Sequence, residues 1–279
     1  MVIAANARSQ YEITADEWLA DLDYMIERLE ITHPNMYRNI SKEQFSLAVS
    51  QLRQKIPSLG TNDIFFEFAK LVGLLKDGHK SMRPTRKFIE SLHIYPVAYY
   101  LFGDSLFIMS IDSRYKEYVG WKVVKIGQLS AEEAIREVSQ VISADNEYSR
   151  IASTVSVYKR FAKALRFFGI VDNTERIVLH LADPKGRERE LEIKAEPFTI
   201  ENGFRVQQFQ DASDSVATMN MNCGIPLPLW LRNREAHYWF EYLPGQKTLY
   251  VKINQMWNSE DESFSGFCLM WGATISRCR

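Results

Sequence analysis

The feature that most constrains the fold is a change in hydrophobic periodicity near residue 93. Before it, apolar residues recur every three or four positions, which is the spacing of one buried helix face. After it, apolar and polar residues alternate, and β-branched and aromatic residues become frequent, which is typical of strands. The sequence therefore predicts an α+β fold with a helical bundle first and a β-rich part second.

Three amphipathic helices are predicted within residues 11–90, the N-terminal helical bundle. Thr14 with Glu17, and Ser41 with Gln44, have the spacing of capping boxes, in which two side chains satisfy backbone N–H groups at a helix start. The third helix begins near Asn62 and carries a Leu- and Phe-rich face. Their apolar stripes are expected to form the core of the bundle.

Residues 93–196 have the pattern of a small mixed β barrel with helices. Strands are predicted at residues 94–101, 105–111, 120–127, 176–182 and 187–194, with hairpin turns between the first two and the last two. Ser130 and Glu133 form another capping box, which opens a helix to about Ile142. A longer helix is predicted from Tyr148 to Phe168.

The rest of the chain is predicted as a linker at residues 197–231 and a hairpin of strands 236–243 and 247–254 within residues 232–279. One edge of the second strand is expected to stay unpaired, so that Val251, Ile253 and Met256 lose their cover. Self-association through this edge is therefore predicted. The residues after Glu262 are rich in Cys, Trp and Met and are interpreted as an aberrant tail left by a frameshift or a premature stop.

Charge and hydropathy exclude several classes of partner. The net charge is −1 with 25% charged residues, so the chain lacks the basic footprint of a nucleic-acid-binding protein. No apolar stretch reaches the roughly 20 residues needed to span a bilayer. Neither a nucleic acid nor a membrane is therefore predicted as a partner.

The N-terminus carries a possible trace of export. Ala5, Asn6 and Ala7 have the A-x-A form of a signal-peptidase site, but only four residues precede them, too few for an apolar signal region. A longer parent protein that is secreted or periplasmic, with its signal peptide missing here, explains this pattern; a chance Ala-rich leader explains it as well. The compartment stays open.

Asp77, Gly78 and His79 are the sharpest candidates for chemistry. Asp77 and Gly78 are typical of a helix end, where Gly78 is expected to take a positive φ, and His79 follows on a loop. Imidazole suits proton transfer near neutral pH, and Asp77 is placed to orient the ring. The catalytic candidates are His79 and Asp77.

Other chemistries have less support. No HxH, HxxxH or HExxH pair, phosphate loop, dinucleotide fingerprint or G-x-S-x-G elbow is present, so no metal or other cofactor is predicted. The three cysteines lack the spacing of a zinc site. His33 precedes Pro34 and is interpreted as a capping or packing residue. Cys223 remains an alternative nucleophile, provided that a histidine lies within hydrogen-bond reach.

The order of these elements resembles the S41 family of serine peptidases, the tail-specific or C-terminal processing proteases, and most closely its tricorn-like members. The resemblance rests on the helical bundle, the Leu-rich helix that runs into residues 74–79, the small barrel and the later hairpin. It implies that His79 is the general base for a distant serine. Lys80 stands where the family usually has Thr.

The same resemblance implies a PDZ-like domain at residues 93–196, and it makes residues 232–279 the truncated start of an α/β catalytic domain that opens with the predicted hairpin. Gly120, Val123 and Ile126 are similar to the PDZ segment that precedes its helix, and they are the peptide-binding candidates. PDZ modules of the family bind unstructured peptide as an added strand.

The hypothesis is thus a fragment of an S41-like serine endopeptidase that lacks its serine-bearing segment and is inactive alone. Peptides or proteins are the implied substrates. The alternative is a non-catalytic peptide-binding module that uses the PDZ-like domain.

Overall fold

The computed structural model describes residues 13–156, 161–199, 216–218, 228–260 and 262–277. The chain divides into two compact units, Met1–Met219 and Asn220–Arg279. Helices and antiparallel sheets both contribute, which confirms the α+β class. Each unit is described separately below.

The first unit opens with four helices: α1 (Ala15–Thr32), α2 (Lys42–Lys55), α3 (Thr61–Gly73) and α4 (Arg86–Glu90). The capping boxes predicted at Thr14 and Ser41 are both formed, with each side chain accepting the N3 amide and the N3 side chain returning to the cap. The first three helices enclose a core of buried apolar side chains, among them Leu22, Phe45, Leu52, Ile64, Phe68 and Leu71.

The second part of this unit is a seven-stranded antiparallel sheet with the order β2-β3-β4-β6-β7, in which β5 pairs with β4 and β9 pairs with β3. Its strands are β2 (Val97–Phe102), β3 (Ser105–Asp112), β4 (Lys122–Ile126), β5 (Leu129–Ser130), β6 (Arg176–Ala182), β7 (Glu188–Lys194) and β9 (Val216–Thr218). A short pair of strands, β1 (His93–Ile94) and β8 (Glu196–Pro197), lies apart from it. The hairpins predicted from residue 94 to 111 and from 176 to 194 are present.

Three further helices accompany the sheet: α5 (Ala131–Val138), α6 (Glu147–Ser156) and α7 (Ala162–Phe167). The single helix predicted from Tyr148 to Phe168 is therefore wrong, because α6 and α7 are separate. Phe161 is extended and makes an isolated antiparallel bridge to Ile94, so backbone pairing with a distant segment replaces the helical hydrogen bond there. Residues 157–160 lie outside the described part.

The bundle packs against the helical segments that accompany the sheet. Phe65, Phe66 and Ala69 of α3 share a buried cluster with Val141 and Ala164. The boundary predicted between residues 90 and 93 therefore falls inside one compact unit.

Part of the predicted linker belongs to the sheet. Residues 216–218 pair antiparallel with the end of β3, and the compact unit closes at Met219. Leu229–Leu231 form a 3₁₀ turn in the second unit. Most of the remaining residues of 197–231 lie outside the described part.

The second unit holds a hairpin of β10 (Tyr238–Leu243) and β11 (Thr248–Ile253), close to the predicted bounds. The segment interpreted as an aberrant tail forms helix α8 (Phe264–Arg277). Phe267 is 2% exposed, and its ring centroid lies 4.4 Å from that of Tyr238. None of the helices in the described ranges is both long and apolar enough to cross a bilayer.

Candidate functional site

The loop at residues 76–80 follows the C-terminus of α3. The helix ends at Gly73, and Lys76 takes the left-handed conformation with φ of 49°, which is uncommon for a residue with a side chain. The Asn39 amide donates a hydrogen bond of 2.9 Å to the Lys76 carbonyl oxygen. These features turn the chain out of the helix and deliver Asp77 to the bundle surface.

Asp77 links three neighbours. Its backbone N–H donates to Ser143 Oγ at 2.9 Å, and its Oδ1 accepts the His79 backbone N–H at 2.8 Å. Its Oδ2 lies 3.0 Å from His33 Nε2. The hydrogen bond from His79 lowers the pKa of the Asp77 carboxyl, and the positive charge of Lys80 adds to this effect. Asp77 is therefore ionised and fixed at neutral pH.

Gly78 is required for a close approach and not for its backbone conformation. Its N–H donates to Asp145 Oδ1 at 3.2 Å, and a Cβ at this position would lie 2.6 Å from Asp145 Oδ2. The expected positive φ is wrong, since Gly78 is not among the described residues with positive φ; the left-handed residue of this helix end is Lys76.

His79 is an exposed residue on this fixed loop. Within the described ranges, no hydrogen bond involves its ring. The Asp77 carboxylate accepts a hydrogen bond from the backbone N–H of His79, whereas the sequence predicts that Asp77 orients the ring of His79. The ring is thus accessible and uncommitted, as a base that must reach a substrate requires.

His33 is the residue that the sequence analysis assigned to capping or packing. Its side chain is 8% exposed. The Asn35 backbone N–H donates to His33 Nδ1 at 3.2 Å, so the proton of the neutral ring sits on Nε2, which faces Asp77. His33 Nε2 makes no hydrogen bond within the described part of the chain, so its contact with Asp77 Oδ2 is a polar one between ring and carboxylate. In the sequence, only the adjacent Pro34 hints at this position of His33, because a proline favours an extended conformation of the residue before it.

Two of the three peptide-binding candidates, Val123 and Ile126, lie in the sheet, and Gly120 lies in the turn before β4. Val123 and Ile126 are 1% and 0% exposed on β4, an interior strand between β3 and β6. Gly120 has φ of 81° and donates its N–H to the Ile108 carbonyl oxygen. Val123 and Ile126 belong to the buried core of residues 93–196, so they would support a peptide site only indirectly. Peptide binding by the module stays a prediction.

Other candidates remain apart from the loop. His180 pairs with Glu190 at 3.4 Å on the sheet. The described residues contain no group of three or more His, Cys, Asp or Glu side chains placed to hold a metal. Cys223 lies outside the described residues. The hairpin at Tyr238–Ile253 belongs to the second unit.

A cleft of about 500 Å³ adjoins the loop on the side of Lys76 and Asp145. Its carboxylates are largely neutralised; Glu67, for example, lies 3.3 Å from Lys55 and 3.7 Å from Lys70. A second, apolar groove is lined by Phe65, Phe66 and Phe88. Neither cavity includes His79 among its lining residues.

No family model matches the chain, and no curated protein sequence matches it. Solved structures do. Mature chlamydial CPAF in complex with lactacystin matches with a TM-score of 0.50 and 14% identity over 66% of this chain. A CPAF mutant and mature CPAF match with TM-scores of 0.47 and 0.45 at 12% and 13% identity.

The fold is protease-like. CPAF is a serine protease of the tail-specific type, which agrees at the level of fold with the resemblance drawn from the sequence. The matched region is 35% of the CPAF chain, so this chain spans about a third of the length of the structure that it matches.

Proposed function

We propose that this chain supplies the general base of an S41-type serine endopeptidase, with His79 as the base. The observation that carries the proposal is an accessible imidazole on a loop that four hydrogen bonds fix: those of Asn39, Asp77, Gly78 and the His79 backbone. The protease-like fold supports it.

The chemistry is acyl transfer to a serine. The serine oxygen attacks the carbonyl carbon of a peptide bond, and the His79 imidazole accepts the proton that the hydroxyl loses. The imidazolium then returns that proton to the leaving amine. A general base is typically worth about 10²–10⁴ in rate, and only when a nucleophile is in reach.

The nucleophile is the part that this sequence does not identify. The 279 residues contain neither a G-x-S-x-G elbow nor the Asn-Gly-Gly motif that precedes the serine in the S41 family, which the sequence resembles. We therefore propose that the chain does not hydrolyse peptide bonds by itself.

The first experiment treats the purified full chain with a fluorophosphonate probe and with casein. No serine is expected to be labelled, and casein is expected to stay intact. Labelling of a single serine that His79→Ala abolishes would show that the chain is a complete hydrolase and would contradict its assignment as an inactive fragment.

The second experiment reads the DNA after the codon for Arg279 in all three frames and expresses any continuation with an Asn-Gly-Gly motif and a later serine. Probe labelling at that serine is expected, with a loss of about 10²–10⁴ in rate for His79→Ala. His180→Ala is the matched control, because His180 lies on the sheet beside Glu190 and away from the loop. Equal labelling in both variants would remove His79 from the mechanism.

A second candidate function, peptide binding without catalysis, is favoured by one edge of the sheet. The two ends of the strand order are β2 and β7. β7 alternates with Glu188, Glu190 and Glu192, charges that discourage strand addition, whereas β2 is aromatic and apolar. Among the described strands, the less buried end of β2, at Leu101 and Phe102, is thus the more suitable edge for an added strand.

Fluorescence polarisation with labelled, unstructured apolar peptides tests this candidate on the full chain. Binding is expected for a peptide that can extend as a strand. It is expected to vanish for a peptide of similar composition with alternate residues replaced by proline, which cannot donate the ladder hydrogen bonds. Equal binding of both peptides would exclude strand addition.

A further inference from the structure

We propose that His33 is a positioning residue for His79 and acts through the Asp77 carboxylate. The inference rests on the proposed function, since it concerns how the base is held. It assigns to the end of α1 a role in the loop that follows α3.

The path consists of three consecutive contacts. The Asn35 backbone N–H donates to His33 Nδ1 at 3.2 Å, His33 Nε2 lies 3.0 Å from Asp77 Oδ2, and Asp77 Oδ1 accepts the His79 backbone N–H at 2.8 Å. The first contact selects the tautomer with a proton on Nε2. The two carboxylate oxygens of Asp77 then serve different partners.

Helix capping does not account for the His33 side chain. The cap of α1 is made by the His33 backbone N–H, which donates to the Leu29 carbonyl oxygen at 2.9 Å, and any residue except proline supplies that donor. The extended conformation of His33 follows from Pro34. Neither the cap nor the extended backbone therefore uses the imidazole of His33.

Packing alone does not account for it either. The side chain is 8% exposed, and burying an imidazole N–H costs free energy unless a polar partner compensates. A leucine would fill the same space without that cost. Among the described residues, Asp77 is the polar group that Nε2 faces, and its side chain is itself only 24% exposed. Burial strengthens a contact between such groups because water screens it less.

The anchoring of Asp77 explains how its contact with His33 affects His79. Asp77 is anchored at its own N–H by Ser143, so its carboxylate has little freedom once His33 restrains Oδ2. The remaining oxygen, Oδ1, is then held toward the His79 amide.

The test uses the full chain labelled with ¹⁵N-histidine, in which five residues give separate backbone and ring signals. Wild-type His33 is expected to show the Nε2–H tautomer. In His33→Leu the His79 amide is expected to exchange with solvent about three- to tenfold faster, the factor that matches the net contribution of one hydrogen bond. His33→Gln keeps an N–H donor and is expected to fall between the two.

Two controls separate positioning from general destabilisation. His180→Gln removes the other described His–carboxylate pair, His180 with Glu190, and is expected to leave the His79 amide unchanged. In an Asp77→Asn background, His33→Leu is expected to add nothing, because the path runs through the Asp77 charge.

A His33 ring with its proton on Nδ1 would overturn the inference even if His33→Leu fails to fold. A His79 amide that exchanges equally in wild type, His33→Gln and His33→Leu would also overturn it. An effect of His33→Leu that persists with Asn at position 77 would overturn it as well. These outcomes concern the amide of His79 and not catalysis. They are therefore distinct from the labelling results that decide the proposed function.

Discussion

At the scale of single residues, Asp77 makes the loop sensitive to acid. Its pKa is lowered, first by the hydrogen bond from the His79 N–H and then by nearby positive charge. A carboxyl whose folded pKa lies below its unfolded value stabilises the fold above the unfolded value, and this contribution disappears as the pH falls through the folded pKa. The loop should therefore loosen below the ordinary aspartate value of 3.8.

Asp77→Asn tests this dependence. Asparagine keeps an oxygen for the His79 N–H but carries no charge, so the difference in unfolding free energy between wild type and variant should shrink as the pH falls from 6 to 3. Thermal unfolding across that range measures it, and the other carboxyl groups cancel in the difference. A difference that stays constant with pH would show that the Asp77 charge does not contribute.

At the scale of elements, Gly73 sets how closely α3 approaches the segment at residues 139–141. A Cβ on Gly73 would lie 2.3 Å from the backbone oxygen of Gln140, which cannot move without shifting its turn. We expect Gly73→Ala to lower the free energy of unfolding by about 1–3 kcal/mol, the usual cost of overpacking, although alanine is the better helix former. Denaturant unfolding measures this change.

Gly78→Ala is the matched comparison. Its Cβ would meet the carboxylate of Asp145, the end of an exposed side chain that can turn away, at the loss of one hydrogen bond. The expected cost is about 0.5–1.5 kcal/mol, the net value of such a bond. A larger loss for Gly78→Ala than for Gly73→Ala would contradict the contacts described for both glycines.

The same elements show how far the sequence could predict the fold. Capping boxes and hairpin turns are encoded within a few residues, so their positions followed directly from Thr14, Ser41 and the turn residues. The break between α6 and α7 could not be predicted in this way, because it depends on the pairing of Phe161 with Ile94. A contact between residues so far apart in the sequence leaves no local periodicity.

The candidate site likewise has one part that is encoded locally in the sequence and another part that comes from distant residues. The sequence predicts His79 as a candidate because it is contiguous with Asp77 and Gly78. The partners of that motif, His33 and Asp145, come from distant parts of the chain and meet it only through folding.

At the scale of the whole molecule, the second unit carries the apolar surface on which self-association was predicted. Met256, Trp257 and Leu269 are 76%, 66% and 76% exposed. Within the described part of this unit, β11 has β10 as its strand neighbour, and a two-stranded hairpin is only marginally stable alone. Exposed apolar side chains beside a strand edge favour pairing with another copy.

We therefore expect the full chain to self-associate at micromolar concentration and a chain that ends at Met219 to stay monomeric. Ending the chain near Lys194 instead would remove β8 and β9, which pair with β1 and β3. Ile253→Lys in the full chain is the matched variant, because Ile253 is 44% exposed at the end of β11 and a lysine on an edge strand opposes pairing. Light scattering at several concentrations measures all three proteins. Equal association of the full and the shorter chain would move the contact to the first unit, whereas association of the full chain that Ile253→Lys leaves unchanged would exclude the β11 edge.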